Sequence, residues 1–147
     1  MKLPISVFIV TLNEEENLTR LLPSLTSFDE VIVVDSGSTD TTRKIAEDFG
    51  AIVKHNDWPG YAKQKQFAMN LCKNDWVMNL DADEFIPPSL PPLIELAIQK
   101  NDTTSIKFNR CDYFLNKPMP KICSLFSNTR LYKKSVAHFD TSFLVHE

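Results

Sequence analysis

Short apolar runs alternate with helical repeats along the first two thirds of the chain. Residues 5–10 and 31–34 are almost entirely aliphatic or aromatic, which is typical of strands buried on both faces of a parallel sheet. Between them, leucines recur at the three- and four-residue spacing of one helix face. The pattern predicts strands at 5–10, 31–34, 51–53 and 75–80, and helices near 14–25, 40–50, 61–71 and 90–99.

Local signals refine two of these helices. Asn13, with Glu16 three residues later, has the pattern of a capping box, so we expect Asn13 to cap the first helix. The polar turn at 35–40 ends in residues that can cap the second helix. In the third helix, the apolar spacing predicts that the inward face carries Ala62, Phe67, Ala68 and Leu71.

The order of the elements predicts the fold class. Strands and helices that alternate at short intervals form an α/β fold with a doubly wound, mostly parallel sheet. Residues 105–108, 111–114 and 129–132 instead mix polar and apolar positions, as strands with one solvated face do. We therefore expect a small mixed or antiparallel part at the C-terminal end. No repeat or linker is visible, which predicts a single domain over residues 1–147.

Composition narrows the class of protein. The chain has 147 residues, 43% of them hydrophobic, and a net charge of −3, which fits a soluble globular domain and argues against a nucleic-acid binder. Three cysteines form no paired framework or metal-type spacing, so reduced thiols and a cytoplasmic location are expected. No signal peptide is apparent, and no apolar run approaches the ~20 residues that cross a bilayer.

One segment departs from this acidic balance. Residues 113–139 carry five basic side chains and no carboxylate. The segment could face an anionic acceptor or make peripheral contact with a membrane surface. A solvated β-hairpin explains the same charges equally well. The five residues are Lys117, Lys121, Arg130, Lys133 and Lys134.

Polar clusters follow three of the predicted strands, at 11–14, 35–38 and 81–83. Ligands of open parallel sheets bind beyond the carboxyl ends of the strands, so the shared placement predicts a site there. Asp81 and Asp83 are two residues apart in a segment read as extended, and would face the same way toward a divalent cation. A helix-capping turn is the alternative explanation of this pair. Asp35 ends an apolar strand, where its carboxylate could accept hydrogen bonds from a base or ribose.

Glycine-rich phosphate loops are missing. Neither the Gly-x-Gly-x-x-Gly turn of dinucleotide-binding folds nor a Gly-Lys-Ser/Thr loop occurs, which argues against dinucleotide enzymes and nucleoside triphosphatases. The charge of a bound diphosphate would then be neutralised by a metal ion and basic side chains. Lys63 and Lys65, which follow Gly60, are the candidates.

The clusters at 10–15, 34–42 and 80–84, in this order, resemble the motifs of the inverting family 2 glycosyltransferases of the GT-A fold. Residues 58–70 and 145–147 look most like the branch that adds glucose or a related sugar to the lipopolysaccharide core. The resemblance covers roughly the first hundred residues. It implies that 1–100 form the nucleotide-sugar-binding half and 101–147 the start of the acceptor half. Members of this branch are usually longer, so the chain looks truncated at its C-terminal end.

The same resemblance implies roles for individual residues. The donor, a nucleotide-diphospho-sugar such as a UDP-sugar, would be bound by Asp81 and by residues near the first two strands, and Asp83 would hold Mg²⁺ or Mn²⁺. Glu147 would be the catalytic base, with His146 as the alternative base or a further metal ligand. Lys65 stands where the family often has arginine, and Gln66 where it often has asparagine. The remaining donor-site residues implied are Thr11, Asn13, Glu14, Asp35 and Ser36, with Lys65 on the phosphates.

Three classes of function are compatible with the sequence. The first is a metal-dependent sugar transferase that acts on a lipopolysaccharide-core or other cell-envelope glycan. The second is a module that binds the nucleotide sugar without turnover. The third is a phosphoacceptor receiver domain, although Asn13-Glu14 supplies only one of the carboxylates expected after its first strand.

Overall fold

The structure, a computed structural model, describes residues 1–109, 111, 113–114, 117–118 and 127–142. Four helices and eight strands lie in this part of the chain. The helices are α1 (Glu15–Leu21), α2 (Thr42–Phe49), α3 (Tyr61–Leu71) and α4 (Leu90–Gln99), with 3₁₀ turns at Leu22–Leu25 and Lys134–Val136. The strands are β1 (Leu3–Thr11), β2 (Phe28–Asp35), β3 (Ile52–His55), β4 (Trp76–Leu80), β5 (Ser105–Asn109), β6 (Tyr113–Phe114), β7 (Lys117–Pro118) and β8 (Ser127–Lys133).

The main sheet has the order β3–β2–β1–β4–β8–β5. The first four of these strands are parallel, and β8 runs antiparallel between β4 and β5. The predicted doubly wound sheet with an antiparallel C-terminal part is therefore confirmed. The strand order reverses between β1 and β4, which is where open sheets of this type bind ligands. Receiver domains instead place their first strand between the second and third, so that alternative is wrong.

Apolar side chains cover both faces of the sheet. Alternate residues of β1 point to opposite faces, so Val7 and Ile9 belong to one buried cluster and Phe8 to the other. The first cluster includes the leucines of α1 and of the 3₁₀ turn that follows it, and the second includes Ala68 and Met69 of α3. Truncating a fully buried side chain such as Phe8 to alanine would cost about 3–5 kcal/mol. The continuous apolar strands predicted from the sequence reflect this two-sided burial.

The predicted capping box is wrong. Helix α1 begins one residue later than expected, with Glu14 at the N-cap position and no side-chain cap. Asn13 instead has φ of 55°, in the left-handed region that asparagine tolerates. Its Oδ1 accepts a hydrogen bond from the Thr39 backbone N–H at 2.9 Å, so it joins two loops. At α2 the N-cap residue is Thr41, which makes no side-chain cap. Asp40, one residue earlier, holds the first turn instead, because its Oδ1 accepts from the Thr42 N–H at 2.9 Å.

Helix α3 has the predicted bounds, and Ala62 and Ala68 are buried as predicted. Phe67 and Leu71 are only partly buried, whereas Gln64 and Lys65 are buried. The polar residues lie near the carboxyl edge of the sheet, where partners are available to them. Gln64 Nε2 donates to the Ser36 hydroxyl at 3.0 Å and to the Asn56 carbonyl at 2.9 Å. Within the described ranges, none of the helices is both long enough and apolar enough to span a bilayer.

Candidate functional site

The turn after β2 is built around a buried carboxylate. Asp35 is completely buried, and its Oδ2 accepts hydrogen bonds from the backbone N–H groups of Gly37 (3.0 Å) and Ser38 (2.9 Å). Its Oδ1 accepts from the Ser38 hydroxyl and, at 3.4 Å, from Thr11 Oγ1. Gly37 has φ of 105°, a conformation that favours glycine. In this geometry Asp35 shapes the turn, and direct contact with a nucleoside would require the turn to open.

The other predicted donor-site residues of β1 and β2 gather at the same edge. Thr11 is almost fully buried, and the Asn13 N–H donates to the Ser38 hydroxyl at 2.8 Å. The Glu14 N–H donates to Thr42 Oγ1 at 2.8 Å, which ties the first loop to α2. Ser36 is held by Gln64 of α3, as described above. The structure thus brings these residues together, and their contact with a nucleotide stays a prediction.

A cluster of four charged side chains lies beside this edge, after β4. Asp81 Oδ1 is 3.1 Å from Lys65 Nζ, and Asp81 Oδ2 is 2.6 Å from Arg130 Nη2. The same Arg130 nitrogen is 2.7 Å from Glu84 Oε1. The Lys65 side chain is only 3% exposed and that of Arg130 11% exposed, whereas Asp81 is 41% exposed. Two buried cations are therefore held at the carboxyl edge of the sheet by carboxylates that reach solvent.

These contacts shift the ionisation of the cluster. Burial alone would raise the pKa of Asp81, but the charges and hydrogen bonds of Lys65 and Arg130 outweigh it and lower that pKa. Burial would likewise lower the pKa of Arg130, and its two carboxylate partners raise it instead. Asp81 and Arg130 are thus both ionised around neutral pH, and Arg130 carries charge that an anionic ligand could share.

Arg130 is a site residue that sequence reasoning missed, having counted it only among the basic residues of 113–139. Its position depends on an irregularity of β8. Ile106 and Lys107 of β5 pair with Leu131 and Thr129, so Arg130 is an extra residue in a β-bulge. Bulges re-aim a side chain and are frequent beside active sites. No signal in the sequence marks this bulge, because it is defined by pairing with a strand twenty residues away.

Asp83 does not share the orientation expected for it. The chain turns directly after β4, with the Glu84 N–H donating to the Asp81 carbonyl at 3.1 Å, so 81–83 are not extended. Glu84, rather than Asp83, joins Asp81 on Arg130. Asp83 is exposed on this turn, and the described residues hold no group of three or more metal-type side chains. One exposed carboxylate still fits Mg²⁺, which commonly takes one or two protein carboxylates together with substrate phosphates and water.

A cleft of about 760 Å³ continues from Asp81 toward β5. Its walls come from the ends of β4 and β8, the start of β5 and residues 136–140. The last of these segments is fixed by the Phe139 N–H, which donates to Gln66 Oε1 at 2.9 Å, and by the packing of the Phe139 ring on Phe8 and Tyr132. The cleft and the turn of Asp35 thus lie on either side of Asp81.

The basic segment is not a uniform surface patch. Arg130 contacts the acidic cluster, Lys134 donates to the Cys72 carbonyl, and Lys133 lies 5.5 Å from the centre of the Trp76 ring. Lys117 is exposed in the β6–β7 hairpin. Lys121 and both predicted catalytic residues, His146 and Glu147, lie outside the described residues.

A Rossmann-like sheet with an acidic turn after β4 and polar loops after β1 and β2 defines the GT-A class of glycosyltransferase folds. Solved structures agree with this class. Structures of S. aureus TarS 1-349 superpose with a TM-score of 0.61 at 28% identity, covering 73% of this chain and 34% of that one. The structure titled as its complex with UDP-GlcNAc gives a TM-score of 0.63 at 26% identity, covering 82% and 37%.

Sequence comparison identifies the family. The model of the family "Glycosyl transferase family 2" matches residues 6–144, and the chain belongs to this family. A glycosyltransferase of Rickettsia bellii is 43% identical over 140 residues, 92% of this chain and 48% of that protein. The lipopolysaccharide core biosynthesis glycosyltransferase LpsC of Rhizobium meliloti is 36% identical over 99% of this chain and 57% of its own length. The chain thus spans about half the length of these relatives.

Proposed function

We propose that this chain carries the donor-binding part of an inverting glycosyltransferase, which moves a hexose from a nucleotide-diphospho-sugar to a cell-envelope glycan. The observation that carries the proposal is the pair of buried cations, Lys65 and Arg130, at the sheet edge where this family and fold have their donor site. UDP is the favoured nucleotide, because a similar structure is titled as a UDP-GlcNAc complex. A lipopolysaccharide-core acceptor is favoured by the name of the relative LpsC.

In this proposal the nucleoside lies against the loops of Thr11, Asn13 and Ser36, and Asp35 acts by holding their shape or by contacting the base. Lys65 and Arg130 face the diphosphate, whose negative charge they offset. Asp81 is positioned by the same two cations and would reach the ribose or the donor sugar. Because both cations are already ordered by carboxylates, little side-chain entropy would be lost when the donor binds.

Asp83 would hold Mg²⁺ or Mn²⁺ against the diphosphate. When bound, such an ion would stabilise the charge that develops on the departing diphosphate. The chain's own part is to present one hard oxygen ligand on an exposed turn beside two buried cations. Metal dependence is therefore expected to reside in Asp83 and not in Asp81, which is already paired.

Transfer with inversion requires one displacement. The oxygen of an acceptor hydroxyl attacks the anomeric carbon of the donor, the bond from that carbon to the diphosphate oxygen breaks, and the nucleoside diphosphate leaves. The hydroxyl proton passes to a general base within hydrogen-bond reach. Glu147 is proposed as this base, with His146 as the alternative. Residues 137–142 precede them in the chain, and those up to Asp140 line the wall of the cleft beside Asp81.

The same proposal places the protein in the cytoplasm. The described cysteines Cys72 and Cys111 are both free thiols, which suits a reducing compartment. Peripheral contact with the inner face of the membrane stays a prediction from the basic composition of residues 113–139. The division of the chain into a donor half, 1–100, and the start of an acceptor half, 101–147, likewise belongs to this proposal.

Calorimetric titration with UDP, with and without Mn²⁺, tests the donor site. We expect binding that Mn²⁺ strengthens, and Asp83→Ala should abolish the Mn²⁺ effect without changing the thermal melting curve, because the exposed carboxylate fills no core space. Asp102→Ala, which removes another exposed aspartate away from the site, is the matched control. An Asp83→Ala variant with the parent's Mn²⁺ dependence would remove the metal role, and failure of the parent to bind UDP would contradict the donor site itself.

A nucleotide-sugar-binding module without turnover is the second candidate. It predicts the same UDP titration but no release of UDP when donor and acceptor are mixed with a longer form that carries the C-terminal part found in the relatives. A coupled assay that measures released UDP distinguishes the transferase from the binding module.

A further inference from the structure

Two buried polar atoms at the head of the cleft lack hydrogen-bond partners. Among the residues that the structure describes, neither Asn79 Oδ1 nor Arg130 Nε has one. Asn79 is only 4% exposed, so water does not substitute freely for the missing partner. A buried polar group without a partner costs free energy, and such groups in native proteins often mark a site that a ligand completes.

The two atoms belong to the same face of the sheet. Because β4 and β8 are antiparallel and Met78 pairs with Leu131, Asn79, which follows Met78, lies opposite Arg130, which precedes Leu131. Val77 and Tyr132 form the preceding pair on that face, and both belong to the buried cluster under α3. The unpartnered acceptor of Asn79 and the unpartnered donor of Arg130 therefore lie at the end of this face, beside the cleft.

The lining of the cleft indicates the chemistry of its ligand. Beyond Asn79 and Arg130, the β5 and β8 walls carry mainly neutral hydroxyl and amide groups, such as Thr104, Ser105 and Asn128, together with the cation Lys107. The rings of Tyr132 and Phe139, with centroids 6.4 Å apart, form an aromatic wall. Neutral polar groups beside aromatic rings suit a ligand that has many hydroxyl groups and apolar ring faces. The volume of about 760 Å³ is within the range of small-molecule sites.

We infer that this cleft is the acceptor-sugar subsite, and that Asn79 is a specificity-determining residue which accepts a hydrogen bond from an acceptor hydroxyl. The inference rests on the proposed function, since it places the acceptor on the opposite side of Asp81 from the nucleoside loops. Asn79 is among the residues that line the cleft, and the broad χ2 torsion of asparagine lets its amide oxygen turn toward a ligand there. Arg130 Nε donates to an oxygen of the same sugar while its Nη2 keeps Asp81 and Glu84 in place.

The test compares Asn79→Leu, which has the same number of side-chain heavy atoms, with Gln99→Leu at the exposed end of α4. Both are titrated with UDP, with UDP-glucose and, in the presence of UDP, with a deacylated lipopolysaccharide core oligosaccharide. We expect Asn79→Leu to weaken oligosaccharide binding about five- to tenfold, leave UDP and UDP-glucose binding unchanged, and not lower the melting temperature, because the side chain makes no hydrogen bond through its oxygen in the free protein. Gln99→Leu should change none of these. If leucine does not fit, Asn79→Ala gives the same comparison.

Four results would overturn the inference. Oligosaccharide affinity equal to that of the parent, or no oligosaccharide binding by the parent, would remove Asn79 from acceptor recognition. Weakened UDP-glucose binding with unchanged UDP binding would assign Asn79 to the donor sugar instead. Lower melting temperature together with weaker binding of all three ligands would make its role structural. Failure of the proposed function is distinct from all of these, because the parent would then not bind UDP.

Discussion

Two carboxylates at the carboxyl edge of the sheet, Asp35 and Asp81, have the same chemistry but different environments. Asp35 is fully buried, and its oxygens accept hydrogen bonds from the turn that follows β2. Asp81 reaches solvent and is paired with two cations. Sequence position alone assigns both residues to the donor site. Their burial separates them, because Asp35 stabilises the local turn whereas Asp81 stays accessible to a ligand.

Replacing Asp35 by alanine should therefore affect folding as well as binding. The N–H groups of Gly37 and Ser38 would lose their acceptor, which lowers the free energy of unfolding by about 1–3 kcal/mol. UDP affinity should fall about ten- to hundredfold, with or without metal. Urea denaturation and UDP titration below the melting temperature measure the two effects, and Asp48→Ala, an exposed partner of Lys44, is the control. Unchanged stability would show that the turn does not depend on Asp35.

The buried thiol of Cys72 gives a second prediction for a single residue. Burial, with a smaller contribution from the charge of Glu30, raises the pKa of Cys72 to about 12. Because the thiolate is the reactive form, iodoacetamide at pH 8 should modify the exposed Cys111 and leave Cys72 unmodified until the protein unfolds. Peptide mass spectrometry after labelling, with and without urea, measures this. Equal labelling of both cysteines in the native protein would contradict the buried position of Cys72.

At the level of elements, the site depends on where α3 and β8 meet the end of β4. The N-terminal half of α3 supplies Gln64 and Lys65, and the bulge in β8 supplies Arg130. Each element brings one cation, Lys65 or Arg130, from a different part of the chain to the turn after β4. The acidic turn is therefore held by two cations from elements on either side of it. Replacing either cation by a neutral residue should change the pKa of Asp81.

The pH dependence of stability should report these pairs. The pKa of Asp81 is lower in the folded protein than its ordinary value of 3.8, so its pairing stabilises the fold above that pH and is lost as pH falls through the lowered value. In Arg130→Gln, the Asp81 pKa should rise, because one opposing charge is gone and burial still favours the neutral form. NMR titration of the Asp81 carboxyl measures this, with Arg20→Gln on exposed α1 as control. The same Asp81 pKa in Arg130→Gln and in the parent would contradict the pairing.

On the scale of the whole molecule, the described sheet contains the donor edge and one wall of the cleft, while the relatives are about twice as long as the matched region. The ion pairs of Asp81 with Lys65 and Arg130, and the loops after β1 and β2, lie within the described residues. We therefore expect binding of a donor to require less of the protein than transfer to an acceptor does.

This difference predicts how activity divides. The 147-residue chain should bind UDP but transfer sugar poorly, whereas a longer form with the C-terminal half found in its relatives should transfer efficiently. In the longer form, Glu147→Gln should reduce turnover about 10²–10⁴-fold with little change in UDP affinity, since it removes only the proton acceptor. Steady-state assays of released UDP make the comparison, with His146→Gln beside it. Full turnover by the Glu147→Gln form would exclude Glu147 as base, and efficient transfer by the short chain would show that the second half is dispensable.

Much of the fold follows from the sequence alone, because its determinants are local. Apolar runs of β-branched residues specify strands buried on two faces, and the 3.6-residue period of the leucines specifies the helix between them. Both signals are read within ten residues, and the elements that they predict up to Gln99 are present with small changes at their ends. The placement of polar loops at one sheet edge also follows, since parallel strands end on the same side.

Only the tertiary structure decided which polar residues meet. Asn13 bridges two loops instead of capping α1, since its partner Thr39 comes from the next loop of the fold. Lys65 lies at Asp81 because α3 packs with its N-terminal half over the sheet edge, and Arg130 reaches the same carboxylate through a bulge set by pairing with β5. These contacts join residues 16 to 49 positions apart, and their energies depend on burial and register. Burial and register are properties of the assembled sheet. Local sequence therefore determines the helices, the strands and the sheet edge at which the polar loops lie, but not which side chains pair at the site.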